Sequence, residues 1–142
     1  MRSHRILALA ILLMALAGPS RAATSYRVIV NAANSSAAID RKLLADLFLK
    51  KATRWPSGEA ARPVDLGPDS SVRRRFSEEV LSRSVGAVKS YWQQLIFSGR
   101  AIPPPELDSD EEVVRYVAKY PGAVGYVSGG SELSGVRTVI VK

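Results

Sequence analysis

"SDEEVVRYVAKYPGAVGYV", Ser109–Val127, contains a helix, its stop and a strand in immediate succession. Ser109 followed three residues later by Glu112 is a capping box, with acids crowded into a first turn where the helix dipole favours them. Val113, Val114, Val117 and Ala118 then recur at helical spacing as far as Tyr120, and Pro121-Gly122 ends the periodicity. Ala123–Val127 is short and apolar, as a strand buried on both faces would be. A helix that hands over directly to such a strand implies a sheet with helices packed on it.

The segments upstream repeat this grammar. Tyr26–Asn31 is rich in β-branched and aromatic residues and runs into a polar loop, Ala32–Ala38. Asp40 can cap a helix burying Leu43, Leu44, Leu47 and Phe48, and Lys50–Ala61 is a loop turning at Trp55-Pro56-Ser57-Gly58. Arg62–Leu66 predicts a second strand. Val72, Phe76 and Val80, four apart, predict a helix over Ser71–Ser82. A further helix over Val85–Phe97 would bury Val88, Trp92, Leu95 and Ile96 before Ser98-Gly99 stops it. Pro103-Pro104-Pro105 forbids regular structure and reads as an extended connector. Val136–Val141 is the last strand, after a turn-rich segment with Gly129, Gly130 and Gly135. Strands interleaved with helices predict an α/β fold, a mixed or parallel sheet covered on both faces.

The beginning of the chain addresses it elsewhere. Arg2 and Arg5 precede an apolar run, Ile6–Ala17, broken by Gly18-Pro19 and followed by the small residues Ser20 and Ala22. This is the pattern of a secretory signal peptide cut after Ala22. The run is shorter than the roughly twenty residues a membrane span needs, so no span is expected after signal removal. Residues 1–22 carry three arginines (Arg2, Arg5, Arg21) and no acid, so their removal lowers the net charge from +7 to +4. The remaining basicity is not organised as a nucleic-acid surface. Residues 23–142 then form a single domain, periplasmic or secreted. That domain has no cysteine, and no histidine either, His4 being the sole one. Thiol, imidazole and triad mechanisms are thereby excluded, as are metal sites built on those ligands. Asp108, Asp110, Glu111 and Glu112 read as helix-capping acids, and no acid stands alone in an apolar setting. No catalytic residue, cofactor or metal is expected, and Trp55 and Trp92 read as core.

"LLADLFLKKATRWPSG", "VDLGPDSSVRRRF" and "YPGAVGYVS", in this order, resemble one lobe of the phosphate-type substrate-binding proteins of ABC transporters, in the type 2 periplasmic binding protein superfamily. The resemblance implies strands at Val28–Val30 and Val139–Val141 lying close together, at one edge or in the middle of one sheet, and a backbone-geometry role for Gly125-Tyr126. It also implies an oxyanion site at the start of the helix after Leu66, from Asp69, Ser70, Ser71 and Arg73. The sequence departs from the family there: Asp65 and Leu66 stand near the family's upstream arginine, and Val72 replaces a threonine. The family has two lobes, and this chain has residues for one.

Two readings of that helix start follow. Free amides after Ser70 would hold phosphate or a related oxyanion, with binding weak or dependent on a second lobe from a transporter or envelope partner. Alternatively Arg73, Arg74 and Arg75 are solvated, balanced by Asp69 and by Arg74–Glu78 and Arg75–Glu79 pairs worth about 0.2–0.5 kcal/mol each. The lobe would then serve as an envelope interaction module without a solute.

Overall fold

The computed structural model describes residues 25–142. The proposed signal segment, its cleavage site and His4 lie outside the described residues.

Among the described residues seven strands and four α-helices are interleaved. Strand β1 (Tyr26–Asn31) is the centre of a five-stranded mixed sheet with β2 (Ala38–Ile39), β3 (Arg62–Pro63), β6 (Ala123–Ser128) and β7 (Val136–Val141), in the order β2-β7-β1-β6-β3. β1 is antiparallel to β6 and β7, with Val28 opposite both Tyr126 and Val139, so the two expected neighbouring strands do pair. The short edge strands β2 and β3 run parallel to β7 and β6. β2 emerges from what the sequence presents as loop: a two-residue strand is too short to leave a periodic signal.

Register decides which helix covers which face, because paired residues share a face and successive residues alternate. Val28, Val30, Val124 and Tyr126 face α1 (Arg41–Phe48) and α2 (Ser71–Phe76); there Phe76 stacks on Tyr126 at 3.9 Å between centroids, and Phe48 tilts against Phe76 at 4.8 Å. Ile29, Asn31 and Gly125 face α4 (Asp110–Lys119). Asn31 Nδ2 donates to the carbonyls of Val117 (2.8 Å) and Ala118 (2.9 Å), locking the last turn of α4 onto the sheet. Gly125 is needed on this face: a Cβ there would come within 2.8 Å of Val113, 2.9 Å of Val64 and 3.3 Å of Val117. Gly125 and Tyr126 lie in the middle of β6.

Three expectations are corrected in detail. Arg62–Leu66 is one extended segment shared between two partners: Arg62 and Val64 donate to Gly122 and Val124, whereas Asp65 and Gly67 donate to Pro105 and Leu107. The second pairing makes a small parallel ladder, β4 (Asp65–Leu66) with β5 (Glu106–Leu107), just after the triproline connector. The helix over Ser71–Ser82 changes character at Ser77, where Ser77–Leu81 is a π-helical turn ending in left-handed Ser82 (φ +53°). In α3 (Val85–Phe97), Val88 and Trp92 are buried as expected, but Leu95 is only half-buried and Ile96 is exposed. Trp55 closes the core, its Nε1 donating to Gly122 O at 2.9 Å.

Candidate functional site

The chain leaves β4 at Leu66, turns through Gly67-Pro68-Asp69 and enters α2 at Ser70. Ser70 is extended (φ −68°, ψ 128°) and its hydroxyl accepts from Arg73 N at 3.2 Å, an N-cap that satisfies one of the donors at the helix start. The N–H groups of Ser71 and Val72 have no acceptor within the helix. Asp69 is exposed and Ser70 half-buried, and both line a cavity of about 490 Å³ together with Asp108, Asp110 and Ser128; Ser71 is exposed beside them and does not line it.

Arg73 goes elsewhere. It is 5 % exposed, so it is neither a solvated arginine nor one free to reach a ligand at the cap. Its guanidinium folds behind the helix start into the gap between β4 and β5: Nη1 donates to Leu66 O at 2.8 Å and lies 3.2 Å from Glu106 Oε1, and Nε lies 3.8 Å from Asp65 Oδ1. The structure thus brings Asp69, Ser70 and Ser71 together at one surface and takes the Arg73 side chain away from it. Of the remaining arginines, Arg75 pairs with Glu79 at 2.5 Å, and Arg74 and Glu78 are both exposed, with no ion pair between them among the described residues.

The partners of Arg73 are residues the sequence reading passed over. Asp65 is an acid in an apolar setting, buried between Val64 and Leu66, contrary to expectation. Tyr126 Oη donates to Asp65 Oδ1 at 2.8 Å and accepts from Leu66 N at 3.3 Å. Burial lifts the Asp65 carboxyl from its ordinary 3.8 to about 6, against the opposing pull of Arg73 and the Tyr126 hydrogen bond. Burial and the adjoining Asp65 also push the Tyr126 hydroxyl well above its ordinary range, so it stays a donor. The trio ties β4, α2 and β6 together from beneath the candidate site. One signal was available: Arg73 sits four before Ser77 and seven before Val80, which places it on a buried helical stripe.

The wall opposite Ser70 belongs to α4. Ser109 Oγ accepts from Glu112 N at 3.2 Å, and Glu112 Oε2 accepts from Asp108 N at 2.9 Å, one residue beyond the N-cap amide of an ordinary capping box. Asp110 accepts from the Ser128 hydroxyl and from Ser131 Oγ (2.5 Å), pinning the end of β6 to the start of α4. Three aspartates and no cationic side chain therefore line the cavity, a field that opposes an incoming anion. Among the described residues no group of histidine, cysteine, aspartate or glutamate is arranged to hold a metal ion, and no helix is long and apolar enough to cross a membrane.

No family model matches the sequence, and no curated protein does. Solved structures do match in fold. An ABC-type phosphate transport receptor from Vibrio cholerae superimposes with a TM-score of 0.63 at 18 % identity, over 83 % of this chain and 46 % of that one. A phosphate ABC transporter substrate-binding protein from Clostridium perfringens, solved with bound phosphate, gives 0.65 at 17 % identity, over 83 % and 45 %. PstS from Borrelia burgdorferi gives 0.63 at 13 %, over 84 % and 47 %. The chain spans about half the length of each. The described residues have the fold of one lobe of a phosphate-type periplasmic binding protein.

Proposed function

We propose that the chain is an exported, non-enzymatic solute-binding domain, acting in the periplasm or outside the cell, that engages phosphate or a related oxyanion weakly, or firmly only against a second lobe supplied by a partner. The fold likeness to phosphate transport receptors supports the ligand class. The position of Arg73 supports the weakness: with its guanidinium held by Asp65, Leu66 and Glu106, an anion is left the Ser71 and Val72 amides and the Ser70 and Ser71 hydroxyls. Asp69 would sit beside that anion as an acceptor, which favours a protonated oxyanion over a dianion. Contacts of this kind in an open, hydrated site contribute about 0–1 kcal/mol each, and roughly −4 kcal/mol corresponds to 1 mM.

The same observation favours one other reading, an envelope interaction module that keeps the lobe and binds no solute. A thermal-shift screen of the full chain with phosphate, sulfate and molybdate separates the two. A site of about 1 mM would gain roughly 1.4 kcal/mol at about 10 mM ligand, a rise of a few degrees that added salt removes. No shift with any of the three oxyanions rejects solute binding by the lone lobe and leaves the interaction module.

A further inference from the structure

The one large apolar surface that the fold does not use, among the described residues, is at the far end of α3. Phe97 is 95 % exposed, Ile102 71 % and Ile96 52 %. The tip is held in shape. Trp92 and Val88 anchor the helix, and Tyr91 Oη donates to Leu49 O at 2.6 Å while the Arg83 guanidinium lies 5.0 Å from the Tyr91 ring. At the C-terminus Gly99 adopts φ +68°, with its N–H on Ile96 O and the Arg100 N–H on Leu95 O, both at 3.0 Å, so the chain reverses sharply beside the exposed side chains. Arg100 Nε donates to Ser98 Oγ at 3.1 Å, which keeps that cation at the tip. From Ser84 to Pro105 the chain carries Lys89 and Arg100 and no acid.

We propose that this tip docks the chain on an anionic phospholipid surface, with Phe97, Ile96 and Ile102 entering the headgroup–acyl boundary and Arg100 and Lys89 meeting lipid phosphates. The chemistry is that of a shallow interfacial anchor: apolar side chains next to cations on a rigid element whose own segment carries no acid. One phenylalanine and two isoleucines expose roughly 400 Å² of apolar surface, enough for shallow insertion into a membrane, and the cations beside them fit anionic headgroups.

The test places a reporter at the tip. Trp55 and Trp92 are 4 % and 6 % exposed and so are shielded from a membrane quencher, and full-length Phe97→Trp adds a tryptophan that is not. Mixed with phosphatidylglycerol-rich vesicles carrying brominated acyl chains, its added emission should be quenched at least twofold, with little change on phosphatidylcholine vesicles and reversal in high salt. Lys89→Glu/Arg100→Glu, and separately Phe97→Ser, should lower vesicle partition about tenfold without moving the melting temperature. Equal quenching by neutral vesicles, or binding to vesicles with position 97 unquenched, would overturn the proposal. So would a Phe97-dependent dimer that ignores lipid, which would make the tip a contact between copies.

Discussion

Replacing Arg73 by methionine keeps much of the side-chain volume and removes only the charge and its donors, leaving Asp65 buried at 5 % exposure with Tyr126 as its remaining hydrogen-bond donor. Breaking one side of a buried pair costs about 3–5 kcal/mol, because the surviving charge is uncompensated. Here the cost must depend on pH. The Asp65 carboxyl is raised in the folded chain, to about 6 from 3.8, so the folded state binds its proton more tightly than the unfolded state. The stability it contributes is therefore complete below pH 3.8 and is lost as pH rises through 6, a swing of about 3 kcal/mol at roughly 1.36 kcal/mol per pKa unit. Without Arg73 the carboxyl moves higher still and the loss extends to higher pH. Urea unfolding followed by the fluorescence of Trp55 and Trp92 should give Arg73→Met a deficit of about 3–5 kcal/mol near pH 7.5 and a much smaller one near pH 4, where Asp65 is neutral in both proteins. Adding Asp65→Asn to Arg73→Met should recover most of the neutral-pH loss. A deficit below about 1 kcal/mol, or one that neither acid nor Asp65→Asn relieves, would refute the internal placement of the guanidinium.

Two further substitutions test the packing beneath the site. Gly125→Ala drives a methyl into Val113, Val64 and Val117 and should destabilise by about 1–3 kcal/mol in thermal melts; a neutral effect would mean that α4 stands farther from the sheet than described. Asn31→Ala strips the donor from two carbonyls at the end of α4 and should cost about 1–3 kcal/mol, with amide exchange accelerated first at Tyr116–Tyr120. Uniform acceleration across the sheet would contradict the local role.

The fold was legible wherever one periodicity ran unbroken. Val28 and Val30, and Val113 with Val117, carry the strand and helix repeats that put β1 and α4 in place. The edges were not legible: Ala38–Ile39 and Glu106–Leu107 become strands only because β7 and β4 present unpaired backbone groups to them, which is information held by the partner. The π-helical turn was hidden for a related reason, since a single extra residue in the helical repeat leaves the buried set Phe76, Ser77, Val80 and Leu81 looking like an ordinary α-helix. At the site, Ser70 could be identified as the cap from its position between turn and apolar run, and the capping acids of α4 likewise. Helical spacing puts Arg73 on the buried stripe with Ser77 and Val80, but its partners could not be read locally. Three consecutive arginines look alike in sequence, and what separates Arg73 from Arg74 is a carboxylate eight residues earlier and a glutamate thirty-three residues later, joined by a strand pairing that local pattern does not announce.

Whether the lone lobe forms a solute site is tested most directly by calorimetric titration of the full chain with phosphate at low and at high ionic strength. With Arg73 engaged internally and Asp69, Asp108 and Asp110 around the opening, the dissociation constant should be about 1 mM or weaker and should weaken further with salt. A micromolar constant indifferent to salt would show an enclosed, charge-compensated anion and would contradict the account.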